Sequence, residues 1–212
     1  MSIKLFYYPG SCALASHIIL EETGLTFDPI AIDLAKKEHL APEYLRINPK
    51  GNVPALIHDG FLITENPAIL PYIARLAPQK NLWPDTPQEE ARCAEWLAWL
   101  SSTMHPSYRH VIRPERYAKG DEAMANVVAL GRIITRKYWE AIEEKLENTS
   151  WLLGDRYSVA DAYLLVYWMW GRGKNLAYDM PNDFPKWTAH AKKMGARAAV
   201  QRALMREGIA LP

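Results

Sequence analysis

The chain has 212 residues, 49% of them hydrophobic and 23% charged, with a formal net charge of +1. That balance supplies a sizeable core in one or two domains and gives no electrostatic case for nucleic acid or an anionic membrane surface. No apolar run approaches the roughly 20 residues that cross a bilayer, Met1 leads into a strand pattern without a signal-peptide layout, and two cysteines, Cys12 and Cys93, are too few for a disulfide framework or structural zinc. A reduced, cytoplasmic, metal-free protein is the expectation. Eight Trp and eleven Tyr point to a helical core with large apolar side chains, or to aromatic-lined pockets.

The first half alternates strand and helix signals. Ile3, Leu5 and Tyr7 alternate with Lys4, Phe6 and Tyr8 in a strand pattern. Pro9-Gly10 then turns the chain into a helix over 12–23, with Leu14, Ile18 and Ile19 at helical spacing and Gly24 as its stop. Phe27 to Asp33 reads as a second strand, parallel to the first. Residues 34–50 are irregular, with a weak helical pattern around Pro42 to Ile47. Val53 to His58 and Phe61 to Ile63 flank Asp59-Gly60, a two-residue turn of type I′ preference. Asn66 as N-cap and Pro67 at the first helical position open a helix running to Leu76. The order β-α-β, then β-β-α, describes a thioredoxin-like half of about 80 residues.

Pro78 to Pro87 holds three prolines and reads as a linker, after which the pattern is all helical. Thr86, Pro87 and Glu89 form a capping box, Trp96, Leu100 and Met104 continue that helix, and Pro106 is expected to kink or stop it. A long helix follows from about Glu122 to Glu147. Ser158-Val159-Ala160-Asp161 caps a very apolar helix, Ala162 to Trp170, read as the buried centre of the second half. Two more helices cover Pro185 to Met194 and Ala198 to Glu207. The expected organisation is therefore an α/β thioredoxin-like domain over 1–80, a linker over 81–88 and an all-α domain over 89–212.

Four positions carry chemical suggestions. Cys12 sits at a helix mouth, where unpaired N–H groups and the helix dipole favour a thiolate of lowered pKa; the plain alternative is a small buried helix residue. There is no C-x-x-C, since Pro9 stands three residues before Cys12, so a single thiol working with a thiol partner is favoured over a dithiol oxidoreductase. Val53-Pro54 opens a strand. A cis bond in this setting turns the Val53 main chain toward an extended peptide ligand, and an ordinary trans proline at a strand edge is the alternative. Glu65-Asn66 at a helix N-terminus suits an α-amino acid group, with Glu65 on the ammonium and the helix end on the carboxylate; the alternative is a capping Asn beside a solvated Glu. His105 before Pro106 is read either as a proton carrier or sulfur-contacting donor or as a helix-end residue. The other histidines, Trp99, Tyr108 and the Arg109-Arg113-Arg116 group read as surface or packing residues.

In this order, these residues resemble the soluble glutathione transferase family, most closely its bacterial beta class. The resemblance rests on Tyr7-Tyr8-Pro9-Gly10-Ser11-Cys12-Ala13-Leu14-Ala15-Ser16-His17, on Asn48-Pro49-Lys50-Gly51-Asn52-Val53-Pro54-Ala55-Leu56, on Thr64-Glu65-Asn66-Pro67-Ala68-Ile69 and on Ser158-Val159-Ala160-Asp161. It covers essentially the whole chain. It implies glutathione as co-substrate, no metal, and a homodimer that takes small, mostly hydrophobic electrophiles. By position it places Cys12 and His105 at the glutathione sulfur, where beta-class members can form a mixed disulfide. Val53, held by Pro54, then faces the cysteinyl backbone, and Glu65 and Asn66 the γ-glutamyl end. Lys37 and Asn52 face the glycine carboxylate, and Tyr7 and Ser11 are candidates for a sulfur-contacting hydroxyl.

The chain departs from that pattern in places. Asn66 replaces a serine, Pro67 removes a helix N–H, Pro106 replaces a lysine and Ala98 an asparagine. No Arg occurs between Ser11 and Leu20, which counts against the zeta-class isomerase pattern. The resemblance implies conjugation of glutathione to electrophiles, with glutaredoxin-like exchange through Cys12 as an added activity. The alternatives are a non-catalytic glutathione- or protein-binding member of the fold and a specialised glutathione-dependent dehalogenase or isomerase. The second-substrate pocket is expected to draw on Tyr108, His110, Tyr163 and Trp168.

Overall fold

Period-two alternation puts Ile3, Leu5 and Tyr7 of strand β1 (Ile3–Tyr7) in the main core and Phe6 in a smaller cluster on the opposite face. The computed structural model describes residues 2–210. In it β1 pairs in parallel with β2 (Asp28–Ala31), Lys4 opposite Asp28, and antiparallel with β3 (Ala55–His58), Leu5 opposite Leu56. β3 turns into β4 (Phe61–Thr64), giving the sheet order β2-β1-β3-β4. The turn residues Asp59 and Gly60 both have positive φ, 47° and 86°, as a type I′ hairpin requires. The third strand starts two residues later than the sequence suggests, because Pro54 has no N–H to give the ladder.

Helices α1 (Ala13–Thr23) and α3 (Asn66–Leu76) cover one face of the sheet, and Tyr44 of the short α2 (Pro42–Ile47) helps cover the other. Gly24 ends α1 in the left-handed conformation expected of it, φ 73°. Helix α1 is buried almost all round, since the sheet lies beneath it and helices of the second half lie above.

The second half is helical: α4 (Pro87–Trp99), α5 (His105–Ile112), α6 (Asp121–Lys145), α7 (Val159–Arg172), the short α8 (Met180–Asp183), α9 (Pro185–Gly195) and α10 (Ala198–Glu207). Thr86 Oγ1 accepts from the Glu89 N–H at 3.3 Å, as its capping pattern predicts. At the head of α7 the capping box is complete, with Ser158 Oγ accepting from the Ala160 N–H and Asp161 Oδ2 from the Ser158 N–H at 2.9 Å. The other Asp161 oxygen accepts from the Leu152 N–H and from His190 Nε2, both at 2.9 Å, so this buried carboxylate is fully partnered.

Pro106 neither stops nor breaks its helix. One π turn, Leu100–Met104, joins α4 to α5 without interruption. A proline lacks the N–H for an i−4 bond and its ring crowds that carbonyl. The wider turn relieves this one residue earlier, with the His105 N–H donating to the Leu100 carbonyl. That carbonyl also accepts from Tyr167 Oη at 2.6 Å, which fastens the π turn to α7.

The two halves are sewn together around α1. Glu207, the last residue of α10, accepts from the Gly10 N–H at 2.9 Å with one oxygen and meets His17 Nδ1 at 2.8 Å with the other; both side chains are fully buried. Arg197 forks onto Glu22 and Arg202 reaches Glu21 at 2.7 Å. Replacing Glu207 by Ala strands a buried imidazole and a main-chain donor together. We expect Glu207→Ala to lose about 3–5 kcal/mol of stability, read as a lower urea midpoint by tryptophan fluorescence; a loss under about 1 kcal/mol would contradict this account.

Candidate active site

The loop that carries Cys12 is fixed from three directions. Gly10, at φ 71°, gives its N–H to Glu207, and its carbonyl accepts from Trp170 Nε1 at 2.9 Å. The Ser11 N–H closes a turn onto the Tyr8 carbonyl at 3.0 Å. Cys12 stands at the N-terminus of α1 with Sγ 3.6 Å from the Val53 carbonyl, to which the thiol donates.

This thiol is not the activated one that its helix-mouth position suggests. Burial pushes it up to about 12, and the Arg109 charge and its own N–H offset only part of that. The local donors explain why. Ser11 Oγ takes the Ala13 N–H at 3.2 Å, the Ser11 carbonyl takes the Leu14 N–H, and the Cys12 carbonyl takes the Ala15 N–H. Three donors of the helix end are thus spent on the chain itself, Ser11 Oγ accepting one of them, and the Cys12 N–H is left for the thiol. Tyr7 also differs from its expectation: the pleat of β1 points it under α1, with its ring 5.2 Å from that of His17.

Val53 and Pro54 are joined by a cis bond. The preceding Asn52 carbonyl is held by Tyr44 Oη at 2.6 Å and Asn48 Nδ2 at 2.8 Å, leaving the Asn52 side chain exposed. Across from this edge, Glu65 adopts a positive φ of 73°, a conformation that non-glycine residues seldom take. Its exposed carboxylate meets Lys50 Nζ at 2.8 Å, and Lys50 also reaches Thr64 Oγ1 at 2.9 Å. Asn66 is neither a cap nor open to a ligand through its side chain. It is buried, with Oδ1 accepting from Ser16 Oγ at 2.7 Å and Nδ2 donating to the Cys12 carbonyl at 2.8 Å. Its amide ties α3 to α1 beneath the thiol. Lys37 lies exposed on the loop after β2 and makes no ion pair among the described residues.

Helices α5 and α7 supply the opposite wall. Trp170 stacks on Tyr108 at 4.7 Å and meets the His105 and Tyr167 rings edge-on at 5.1 Å each. Tyr163 packs on Tyr167 at 5.3 Å. Burial and the neighbouring Arg109 cation hold His105 down to about 4, so it is neutral across the physiological range. Its Nε2 accepts from Arg109 Nη2 at 3.4 Å, which places the proton on Nδ1. Of the four aromatic residues expected in a pocket, Tyr108 and Tyr163 belong to this wall. Trp168 does not: it points into the helical core and donates to Thr188 Oγ1 at 3.1 Å. His110 instead stacks on Tyr117 at 4.0 Å and meets the Pro106 carbonyl.

Comparison with known proteins bears directly on this arrangement. The profile described as "Glutathione S-transferase, N-terminal domain" matches residues 1–75, and "Glutathione S-transferase, C-terminal domain" matches residues 106–198. The chain is 34% identical to glutathione S-transferase GstA of Escherichia coli O157:H7, over 98% of this chain and all of that one. The chain belongs to the glutathione S-transferase family. Among solved structures, the beta-class glutathione S-transferase of Sphingomonas chungbukensis is similar with a TM-score of 0.84 and 35% identity, over 98% of this chain and all of that one. A sphingomonad glutathione S-transferase complexed with glutathione gives 0.83 and 36%, over 98% and 100%.

Within this transferase, sequence reasoning missed Tyr167 and Trp170, which follow Tyr163 at i+4 and i+7 on one face of α7. It read Arg109 as a surface or packing residue, although the i+4 step from His105 was a usable signal. It also left Lys50 unassigned inside a motif that it quoted. A part-buried, neutral Cys12 thiol has a kinetic signature. Alkylation of Cys12 by iodoacetamide should climb about tenfold per pH unit from pH 7 to 10 without levelling, the fully buried Cys93 staying silent. A plateau near pH 7 would show that the thiol is activated after all.

Proposed function

We propose that this transferase conjugates the glutathione thiol to small, mostly hydrophobic electrophiles. One juxtaposition carries the reading: the Val53 main chain, the Cys12 thiol and the strained Glu65 stand along one edge of the α/β half, facing an aromatic wall from the helical half. A γ-glutamyl tripeptide suits that edge. Val53 offers peptide N–H and C=O groups, Glu65 an acceptor for the α-ammonium, and the N-terminus of α3 a partner for the α-carboxylate through the Asn66 main-chain N–H, since Pro67 has none and Ala68 and Ile69 donate to the Glu65 carbonyl. The Asn66 side chain takes no part, being committed to Ser16 and Cys12. Lys37 and Asn52 are assigned to the glycine carboxylate as exposed groups on the same half. In this assignment residues 1–80 bind glutathione, 81–88 link the halves and 89–212 build the second pocket.

Catalysis then rests on positioning and on lowering the pKa of the glutathione thiol. Cys12, protonated to about 12, is a hydrogen-bond donor to the incoming sulfur rather than a nucleophile. Neutral His105 supplies a second contact of the same kind through its Nδ1–H. Disulfide exchange through Cys12 requires a thiolate that this site disfavours, so conjugation is the reading we adopt. We further propose a cytoplasmic homodimer, in line with the family resemblance. The described helices are too short or too polar to cross a membrane, and α6 exposes Leu130, Ile133 and Ile134 on one face.

Turnover of 1-chloro-2,4-dinitrobenzene with glutathione tests the activity. Cys12→Ala should lower kcat/KM by about tenfold, the loss of one hydrogen bond to the glutathione sulfur, whereas a loss above a hundredfold would make Cys12 a required nucleophile. Glu65→Ala should weaken retention on immobilised glutathione by about tenfold or more, the cost of one charged hydrogen bond. Absence of wild-type retention would favour a non-catalytic protein-binding role.

A further inference from the structure

Arg109 is a cation without an anion. It sits one helical turn after His105 on α5, part-buried, and among the described residues its guanidinium makes one hydrogen bond, the long 3.4 Å contact to His105 Nε2. Among the described residues no carboxylate lies within ion-pair distance of it, whereas Arg197, likewise part-buried at the junction of the two halves, is paired with Glu22. A guanidinium has five donors in a planar fork. Here most of them have no acceptor among the described residues, and the one contact made is to His105, which packs on Trp170, itself stacked on Tyr108 and donating to Gly10 in the Cys12 loop. Its charge is felt at Cys12, at His105 and at Tyr167, groups from all sides of the site.

We infer that Arg109 is a specificity-determining residue that selects electrophiles carrying a carboxylate, which its guanidinium grips while the aromatic wall takes the apolar body. The inference rests on the conjugating function proposed above and names its substrate class. Three observations favour an anionic group on the second substrate over one on glutathione. Arg109 is borne by the helical half, opposite the Val53 and Glu65 edge that suits the tripeptide. Its neighbour His105 is neutral, so it supplies no competing cation. Trp170, the partly exposed ring of that wall, is backed by the buried Tyr108 and offers apolar surface for an aromatic body on the same half as the fork.

Calorimetric binding of two glutathione conjugates separates the possibilities without depending on turnover. One conjugate carries a dinitrobenzoate on sulfur, the other the corresponding uncharged dinitrobenzamide. Wild type should prefer the benzoate by about tenfold or more, the size of one charge-assisted hydrogen bond. Arg109→Gln should bind both within about twofold of each other, and Arg109→Lys should recover part of the preference. In turnover, Arg109→Gln should lower kcat/KM for 4-chloro-3,5-dinitrobenzoate by about tenfold more than for 1-chloro-2,4-dinitrobenzene, any loss shared by the two substrates reporting its contact with His105. Equal wild-type affinities, or a preference that survives Arg109→Gln, overturn the inference while leaving the conjugating function intact. Equal slowing of both substrates in Arg109→Gln would also overturn it, by assigning Arg109 to the glutathione thiolate alone. If neither conjugate binds wild type, both the inference and the conjugating function fall.

Discussion

The Glu207 carboxylate is the constraint on which the site depends. One oxygen holds the main chain at Gly10 and the other holds His17 on α1, so the last turn of the last helix fixes the loop that presents Cys12. A buried carboxylate with a single partner would be costly; with two it is a strong positional restraint. Trp170 grips the same loop from α7 through the Gly10 carbonyl. The three-residue turn before the thiol is thus held from the helical half by both its donor and its acceptor. The α/β half supplies the edge for a peptide, but where the thiol stands along it is set by residues about 160 and 200 positions away in the chain.

The site divides its labour by polarity. The α/β half offers main-chain groups and an ionic pair, Lys50 with Glu65, at a backbone position held in an uncommon conformation. The helical half offers rings, a neutral histidine and one uncompensated guanidinium. The cysteine between them is kept protonated mainly by burial, and the helix N–H groups already given to Ser11 and to Cys12's own carbonyl do nothing to offset it. Position at a helix mouth does not activate a thiol when local capping has satisfied the donors and burial removes water.

Much of this was legible in the chain. Turn chemistry at Asp59-Gly60, the Gly24 stop and the Ser158-Asp161 cap are local signals, and each acts within a few residues, so each is found where it was read. What escaped was set by distance in the chain. Asn66 reads as a cap from its neighbours, and only the approach of α1 turns its amide toward Ser16 and Cys12. Trp168 and Trp170 are two residues apart and look equivalent in sequence. The orientation of α7 between α1 and α9 sends one into the core and the other to the site. Pro106 reads as a helix stop because its effect on the i−4 carbonyl is local, but the π turn that absorbs it is stabilised by Tyr167, about sixty residues on.

That π turn has a consequence for how the two ends of this long helix relate. Each residue advances an α-helix by about 100°, so one extra residue accommodated in a widened turn rotates everything beyond it by that angle about the axis. The outer face of α4, with Trp96 and Trp99, and the inner face of α5, with His105 and Arg109, are therefore out of phase by about a quarter turn. The first stretch can keep its aromatic pair at the surface while the second turns its histidine and arginine to the cleft. Sequence change on one stretch is thereby uncoupled from orientation on the other, and the register between them is kept by a single proline.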